Sequence, residues 1–173
     1  FSTYLGGVAD EIGEGIAIDT SGYIYVTGYT NSGNFPTVGA FDASTNGDYD
    51  VFVTKLTPNG QSVIYSTYIG GTNDDRASAI AAFPSGEVAI TGYTNSSDYP
   101  SQNPYDLIAN GLQDAFVTRL SPAGNSLIFS TFLGGTGDDR AYGIAVDANG
   151  RVYVAGETSS SDFPVPGGFD NTA

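Results

Sequence analysis

The sequence repeats itself every 64 residues, and no other feature restricts the fold as strongly. Residues 1–7 read Phe-Ser-Thr-Tyr-Leu-Gly-Gly, and the same pattern returns at residues 65–71 and at residues 129–135. The register holds without a gap between the copies. A fixed period of this length predicts a repeat architecture, in which each unit is one supersecondary structure that packs on its neighbours.

The period divides the chain into repeats 1–64, 65–128 and 129–173, of which the third is incomplete, so the chain holds about 2.7 repeats. At 173 residues the chain is long enough to bury a sizeable core. We therefore expect a single repeat domain over residues 1–173.

Each whole unit reads as four short strands. In the first unit the predicted strands are residues 15–19, 23–29, 50–56 and 62–69. Ser21 and Gly22 form the turn between the first two, because glycine adopts positive φ without strain. A long loop covers residues 30–49. No stretch has a sustained 3.6-residue apolar period, so helices are not expected.

Four antiparallel strands in each repeated unit predict an all-β fold of β-propeller blades. Residues 143–146 are small and apolar without strict alternation, which suits inner strands buried on both faces. A β-solenoid or a string of small sandwiches remains as the alternative, although solenoid coils are usually shorter. Closed propellers have about four to eight blades, so we expect an open or partial propeller.

Five stretches form a recognisable set of motifs, and they are residues 114–120, 132–135, 138–139, 143–156 and 162–164. This set resembles the SBBP repeat of bacterial and archaeal β-propellers. The resemblance implies a propeller in secreted or cell-surface proteins, and it carries no catalytic residues with it.

The strongly negative net charge argues against nucleic acid as a partner. Five Lys and Arg residues stand against nineteen Asp and Glu residues, for a formal charge of −14. Nucleic acid is not an expected partner, because its phosphates are bound by clustered basic residues. There is also no apolar run long enough for a transmembrane helix.

The chain lacks His and Cys, which removes Ser-His-Asp and Cys-His catalysis and the usual zinc sites. We therefore predict no catalytic residues and no cofactor. A fragment of a carbohydrate-active enzyme is the lesser alternative. Its first candidate acids are the glutamates that break the repeat, Glu11, Glu14, Glu87 and Glu157.

Calcium is the one metal that the loops between units could hold, because it prefers carboxylate and carbonyl oxygens. The candidate ligands are Asp10, Asp74, Asp75, Asp138 and Asp139. The alternative is that these residues form turns by bonding to their own backbone, or pair with the arginines that follow them.

Aromatic residues at the long loops offer a second binding hypothesis, because exposed rings stack on sugars. The candidates are Tyr29, Phe35, Tyr93, Tyr99 and Phe163. A carbohydrate-binding module, with or without calcium, is thus an alternative function. The competing interpretation is that the Phe-Pro and Tyr-Pro pairs fasten each long loop to its own blade.

The two ends of the repeat array favour association. Residues 1–5 read as an isolated fourth strand, and residues 152–156 read as the second strand of an incomplete unit. We predict self-association, as a ring or a filament, with part of a larger propeller as the alternative. The predicted contact residues are Phe1, Ser2, Thr3, Tyr4, Leu5, Val152, Tyr153 and Val154.

A secreted or cell-surface location is expected. The chain is rich in Ser, Thr, Asn, Asp and Gly, it has twelve Tyr, and lysine is nearly absent. The chain contains no Met, so Phe1 is expected to be a processed start. The function that follows is an extracellular structural or interaction module.

Overall fold

The computed structural model describes residues 1–166, which form three antiparallel sheets and no helix. Blade 1 contains β1 (Glu11–Ile18), β2 (Ile24–Thr30), β3 (Asp50–Leu56) and β4 (Val63–Ile69). Blade 2 contains β5 (Asp75–Ala82), β6 (Val88–Thr94), β7 (Asp114–Leu120) and β8 (Leu127–Leu133). Blade 3 contains β9 (Asp139–Val146) and β10 (Val152–Thr158). The prediction of an open array of propeller blades is confirmed.

The strand order is β1-β2-β3-β4 in blade 1 and β5-β6-β7-β8 in blade 2, so each complete blade is a simple meander. The predicted strands are close to the observed ones, but the first strand begins four residues earlier than residue 15. A β-bulge between Gly13 and Gly15 lets the pairing with β2 continue beyond that point. Residues 1–5, predicted as a strand, are not paired within the described residues.

The blades stack face to face. Strand β5 packs on β1 and β2, and β9 packs on β5 and β6. Between blades 1 and 2 this stacking buries Val51, Val53 and Ile69 against Ile90 and Phe116. Burying one such side chain contributes about 1.5–3 kcal/mol, so the interface between blades stabilises the fold.

The long loops cover the outer edges of the complete blades. In blade 1, Val38 and Asp42 form isolated bridges with Ser66 and Tyr68 of β4. The loop of blade 2 places Gln102 against β8 in the same way. Covering an outer edge removes a row of unpaired backbone groups that would otherwise invite another strand.

Within residues 1–166, β10 pairs with β9 alone, whereas the equivalent second strands β2 and β6 each pair with a strand on both sides. No helix in this part of the chain has the length and apolar character needed to cross a bilayer.

Candidate functional site

The contact between blades 1 and 2 buries an isoleucine whose counterpart at the start of the array is exposed. Ile80 of β5 lies against Gly15 of blade 1 and is 7% exposed. The same repeat position in blade 1 is Ile16, which is 69% exposed. Ile18, two residues further along the same strand, is also exposed. We call Ile16 and Ile18 the front face of blade 1; it presents the apolar contacts that the inner interface buries.

On the face of blade 1 that packs against blade 2, a tyrosine occupies a repeat position that blade 3 also fills with tyrosine. Tyr25 of β2 is fully buried, and its hydroxyl lies 2.8 Å from Asp19 Oδ2 and 3.2 Å from the carbonyl oxygen of Gly86 in blade 2. Gly86 has a φ of 84°, the turn conformation that glycine adopts without strain. In blade 3 the equivalent Tyr153 is half-exposed, and its hydroxyl donates to Asp147 Oδ2.

Arginine side chains fasten neighbouring blades together. The guanidinium of Arg76 in β5 lies 4.8 Å from the ring centre of Tyr29 and 4.7 Å from that of Tyr49, both in blade 1. Arg140 of β9 lies 5.4 Å from the ring of Tyr93 in blade 2. A guanidinium held over an aromatic ring is attracted by the ring's negative face. Tyr29 and Tyr93 therefore serve blade packing.

Two of the predicted ligand aromatics are wrong. Phe35 and Tyr99 are each 3% exposed, so their rings cannot stack on a sugar at the surface. Phe35 packs 4.7 Å from the ring of Phe52, and Tyr99 stacks 4.6 Å from Phe116, which fastens each long loop to its own blade. Carbohydrate binding by Tyr29, Tyr93 and the half-buried Phe163 stays a prediction.

The five predicted calcium ligands lie at three separate places, the starts of blades 1, 2 and 3. Asp75 is buried, and its Oδ2 accepts hydrogen bonds from the Gly71 amide and the Ser96 hydroxyl. Asp139 is buried with equivalent partners, Gly135 and Ser160. Asp10, Asp74 and Asp138 are nearer the surface, and Asp74 pairs with Arg76 at 3.0 Å.

Residues 1–166 contain no group of three or more His, Cys, Asp or Glu side chains arranged to hold a metal ion. Calcium binding at these aspartates stays a prediction. The turn-forming and ion-pairing roles that were weighed against it account for the contacts of Asp74, Asp75 and Asp139.

Sequence reasoning missed two buried carboxylates at the start of the third strands. Asp50 and Asp114 are at most 1% exposed, and each faces the carboxylate that begins the next blade, Asp75 or Asp139, across a glycine. Burial raises the pKa of Asp50 and of Asp75 to about 6, and it raises the pKa of Asp114. The detectable signal was an aspartate repeated at the first position of a fully buried strand.

Three of the repeat-breaking glutamates hold local contacts. Glu11 accepts a hydrogen bond from the Thr30 hydroxyl, and Glu87 accepts one from Arg119. Glu157 accepts one from the Tyr142 hydroxyl. Each of these contacts lies within one blade, so the three acids have structural roles in their own blades.

Residues 1–5 lie against blade 1 where an outer strand of a preceding blade would lie. The Phe1 ring occupies the space beside Gly60, just as the Tyr65 ring of β4 lies beside Gly124 of blade 2. Leu5 packs against the buried cluster of blade 1 that contains Phe52. The chain start therefore repeats the contact that β4 makes with the following blade.

In both complete blades the third strand lies between the second strand and the fourth strand. Residues 1–5 hold the position of a fourth strand and β10 holds that of a second strand, so the two segments would not be direct neighbours within one blade. Self-association through residues 1–5 and through Val152, Tyr153 and Val154 stays a prediction.

The comparison with protein families agrees with this architecture. Residues 1–36 and 128–164 match the model of the SBBP β-propeller repeat. The two matched stretches occupy the same positions of the first and third units. No curated protein matches this chain.

Proposed function

Because the chain carries SBBP β-propeller repeats, we propose that it is a structural and interaction module that acts outside the cell or at its surface and associates with further copies of itself through its exposed blade faces. The role is one of assembly rather than catalysis. The assembly is a ring if the contact closes and a filament if it does not.

The observation that carries the proposal is the difference between Ile16 and Ile80. The two residues hold the same repeat position, and a neighbouring blade leaves Ile80 only 7% exposed, whereas Ile16 is 69% exposed. Covering a large aliphatic side chain contributes about 1.5–3 kcal/mol. A second copy that stacks on the front face would bury Ile16 and Ile18 as blade 1 buries Ile80.

The opposite end of the array has a matching surface. Tyr153 is 51% exposed, whereas Tyr25 at the same repeat position is covered by the turn at Gly86. A front face and a back face that differ from each other form a head-to-tail contact. Association of this kind uses the contacts that already join blades 1 and 2.

The polar surface supports the extracellular part of the proposal. The chain has a single lysine and no cysteine, and its charge of −14 keeps it soluble without basic patches. The resemblance to repeats of secreted and surface proteins points the same way.

The test is the oligomeric state in solution, measured by native mass spectrometry and analytical ultracentrifugation over a concentration series. We expect species larger than the 17.9 kDa chain. The double variant Ile16→Asp/Ile18→Asp should be monomeric. The matched control Ile108→Asp/Leu112→Asp changes two exposed apolar residues on the outer loop of blade 2 and should assemble normally.

A wild-type chain that stays monomeric at every concentration would overturn the proposal. Equal assembly of the front-face variant and the control would show that the front face is not the contact. Circular dichroism and thermal unfolding of each variant establish that the blades remain folded.

A further inference from the structure

A cleft open to solvent lies across the first strands of the three blades. Its volume of about 330 Å³ falls within the range of about 300–1,000 Å³ that small-molecule sites occupy. Strand β5 contributes more of the lining than any other strand and has a blade on each side. The cleft thus belongs to the middle of the array and not to one of its ends. Its polar and aromatic lining consists of Glu14, Tyr29, Arg76, Ser78, Tyr93 and Tyr142.

A β-bulge brings one residue of each first strand into this cleft, which we call the bulge cleft. The pairing of the first strand with the second skips Glu14 in blade 1, Ser78 in blade 2 and Tyr142 in blade 3. A bulged residue is left out of the ladder, and bulges often redirect a side chain next to a functional site. The three skipped residues hold one repeat position, and all three line the bulge cleft.

The side chain at the bulge differs from blade to blade, although the bulge itself is repeated. The residues on either side of it are glycine or alanine in every blade. Positions that serve the blade keep their residue type, as Asp50 and Asp114 do at the start of the third strands. The bulge instead supplies a carboxylate, a hydroxyl and a phenol, which gives the cleft three different groups for recognising a ligand.

Three tyrosines give the bulge cleft apolar ring surface with hydroxyl groups at the ring edges. Tyr29 and Tyr93 come from the second strands of blades 1 and 2, and both are half-buried. Tyr142 is 51% exposed, and its hydroxyl donates to Glu157. A half-exposed ring that is held at its hydroxyl is suited to stacking on a ligand, because it loses little conformational freedom on binding.

The charges in the bulge cleft disfavour an ionic ligand. Arg76 pairs with Asp74 at 3.0 Å and makes no other hydrogen bond within residues 1–166, so it keeps donors for a ligand. Glu14 is exposed and supplies an acceptor. An anion would be repelled by Glu14, and a cation would be repelled by Arg76. A neutral molecule with several hydroxyl groups can accept from the guanidinium and donate to the carboxylate.

We infer that the bulge cleft binds a neutral mono- or disaccharide. The apolar face of a sugar ring stacks on Tyr142. The sugar hydroxyls accept from Arg76 and donate to Glu14, and Ser78 bonds to a further hydroxyl. The inference adds a ligand to the proposed assembly role and does not depend on that role.

The probes are the methyl glycosides of glucose, galactose, mannose and N-acetylglucosamine, together with maltose, cellobiose, lactose and chitobiose. We expect at least one of them to bind saturably, with a Kd below about 10 mM by saturation-transfer difference NMR. With fluorotyrosine in the protein, the fluorine resonances of Tyr29, Tyr93 and Tyr142 should shift on binding. The resonance of Tyr153, which lies outside the cleft, should not.

Two exposed positions allow substitution without disturbing the core. Tyr142→Ala should weaken binding by at least about tenfold. The matched control Tyr153→Ala removes a tyrosine of the same 51% exposure from β10 and should leave the Kd unchanged. Glu14→Ala should weaken binding about tenfold, because it removes a charged acceptor. Glu14→Gln keeps an acceptor oxygen and should weaken binding less. Thermal unfolding of each variant establishes that it is folded.

Three results would overturn the inference: no saturable binding of any probe, equal binding by Tyr142→Ala and wild type, or tighter binding of glucuronate or tetramethylammonium than of the neutral sugars. The oligomeric state of the same samples tests the proposed function separately. A chain that assembles but binds no sugar would refute only the saccharide site. A monomeric chain that binds sugar would refute only the self-association.

Discussion

The carboxylates of Asp50 and Asp75 converge on Gly70 from neighbouring blades. A Cβ at Gly70 would overlap Asp50 Oδ1 and would lie 3.0 Å from Asp75 Oδ2. Within residues 1–166 no donor reaches Asp50 Oδ1, whereas both oxygens of Asp75 accept hydrogen bonds. Asp114 and Asp139 converge on Gly134 in the same way, but there Asp139 Oδ1 also lacks a donor within residues 1–166.

The first prediction concerns pH. Burial raises the pKa of Asp50 and Asp75 from 3.8 to about 6, so the folded chain binds protons more tightly than the unfolded chain. The stability linked to these protons is complete below pH 3.8 and is lost as the pH rises through about 6. We expect the free energy of unfolding, measured by calorimetry or urea titration, to fall between about pH 4 and pH 7.

Asp50→Asn mimics the protonated carboxyl and should remove much of the fall in the free energy of unfolding between about pH 4 and pH 7. At neutral pH it should raise the free energy of unfolding by about 1–2 kcal/mol. Glu14→Gln removes the same charge from an exposed side chain and is the matched control for net repulsion. An Asp50→Asn variant whose pH profile is identical to that of the wild type would contradict the role of the buried pair.

The second prediction concerns the glycine between these carboxylates. Gly70→Ala forces the methyl group into Asp50, whose short side chain is buried and has little room to move. We expect the free energy of unfolding, measured by urea titration, to fall by about 3 kcal/mol or more. Gly13→Ala is the control, because its Cβ would meet nothing within 4 Å. Equal losses in the two variants would contradict the packing argument.

The third prediction tests the arginine between blades 1 and 2. Arg76→Ala removes the stacking on Tyr29 and Tyr49 and should cost about 1–2 kcal/mol of the free energy of unfolding. Arg151→Ala, in which a 70% exposed side chain is removed, should change it by less than about 0.5 kcal/mol. If the two variants unfold alike, Arg76 does not fasten the blades.

The fourth prediction compares two tyrosines at one repeat position. Tyr25→Phe removes a buried hydroxyl that contacts Asp19 and the Gly86 carbonyl, and should cost about 1–2 kcal/mol in urea unfolding. Tyr153→Phe removes an exposed hydroxyl and should cost less than about 0.5 kcal/mol in the monomeric chain. A larger effect at Tyr153 would show that its surface is already covered in solution.

The fifth prediction addresses calcium. The Oδ2 atoms of Asp75 and Asp139 accept backbone and hydroxyl hydrogen bonds, and Asp74 pairs with Arg76. We therefore expect EDTA to leave the Tm unchanged. A lower Tm in EDTA that calcium restores would identify a calcium site instead, and Asp74→Asn and Asp138→Asn would then locate it.

The sequence predicted a strand correctly where neighbouring residues all favour β structure. Residues 50–56 were placed correctly because β-branched and aromatic residues follow one another without a turn former. The start of β1 was missed because its pairing continues through glycines, which have weak strand preference, and depends on a bulge. The burial of Phe35 and Tyr99 depends on how each long loop folds back, which no local pattern specifies.

The sequence by itself determined the repeat unit, the number of strands in each blade and the absence of His and Cys chemistry, because these depend on residue type and spacing along the chain. Only the tertiary structure decided which side chains meet between blades. The convergence of Asp50 with Asp75 and the difference between Ile16 and Ile80 arise where distant repeats pack. Contacts of this kind depend on burial and strand position, which a single repeat does not encode.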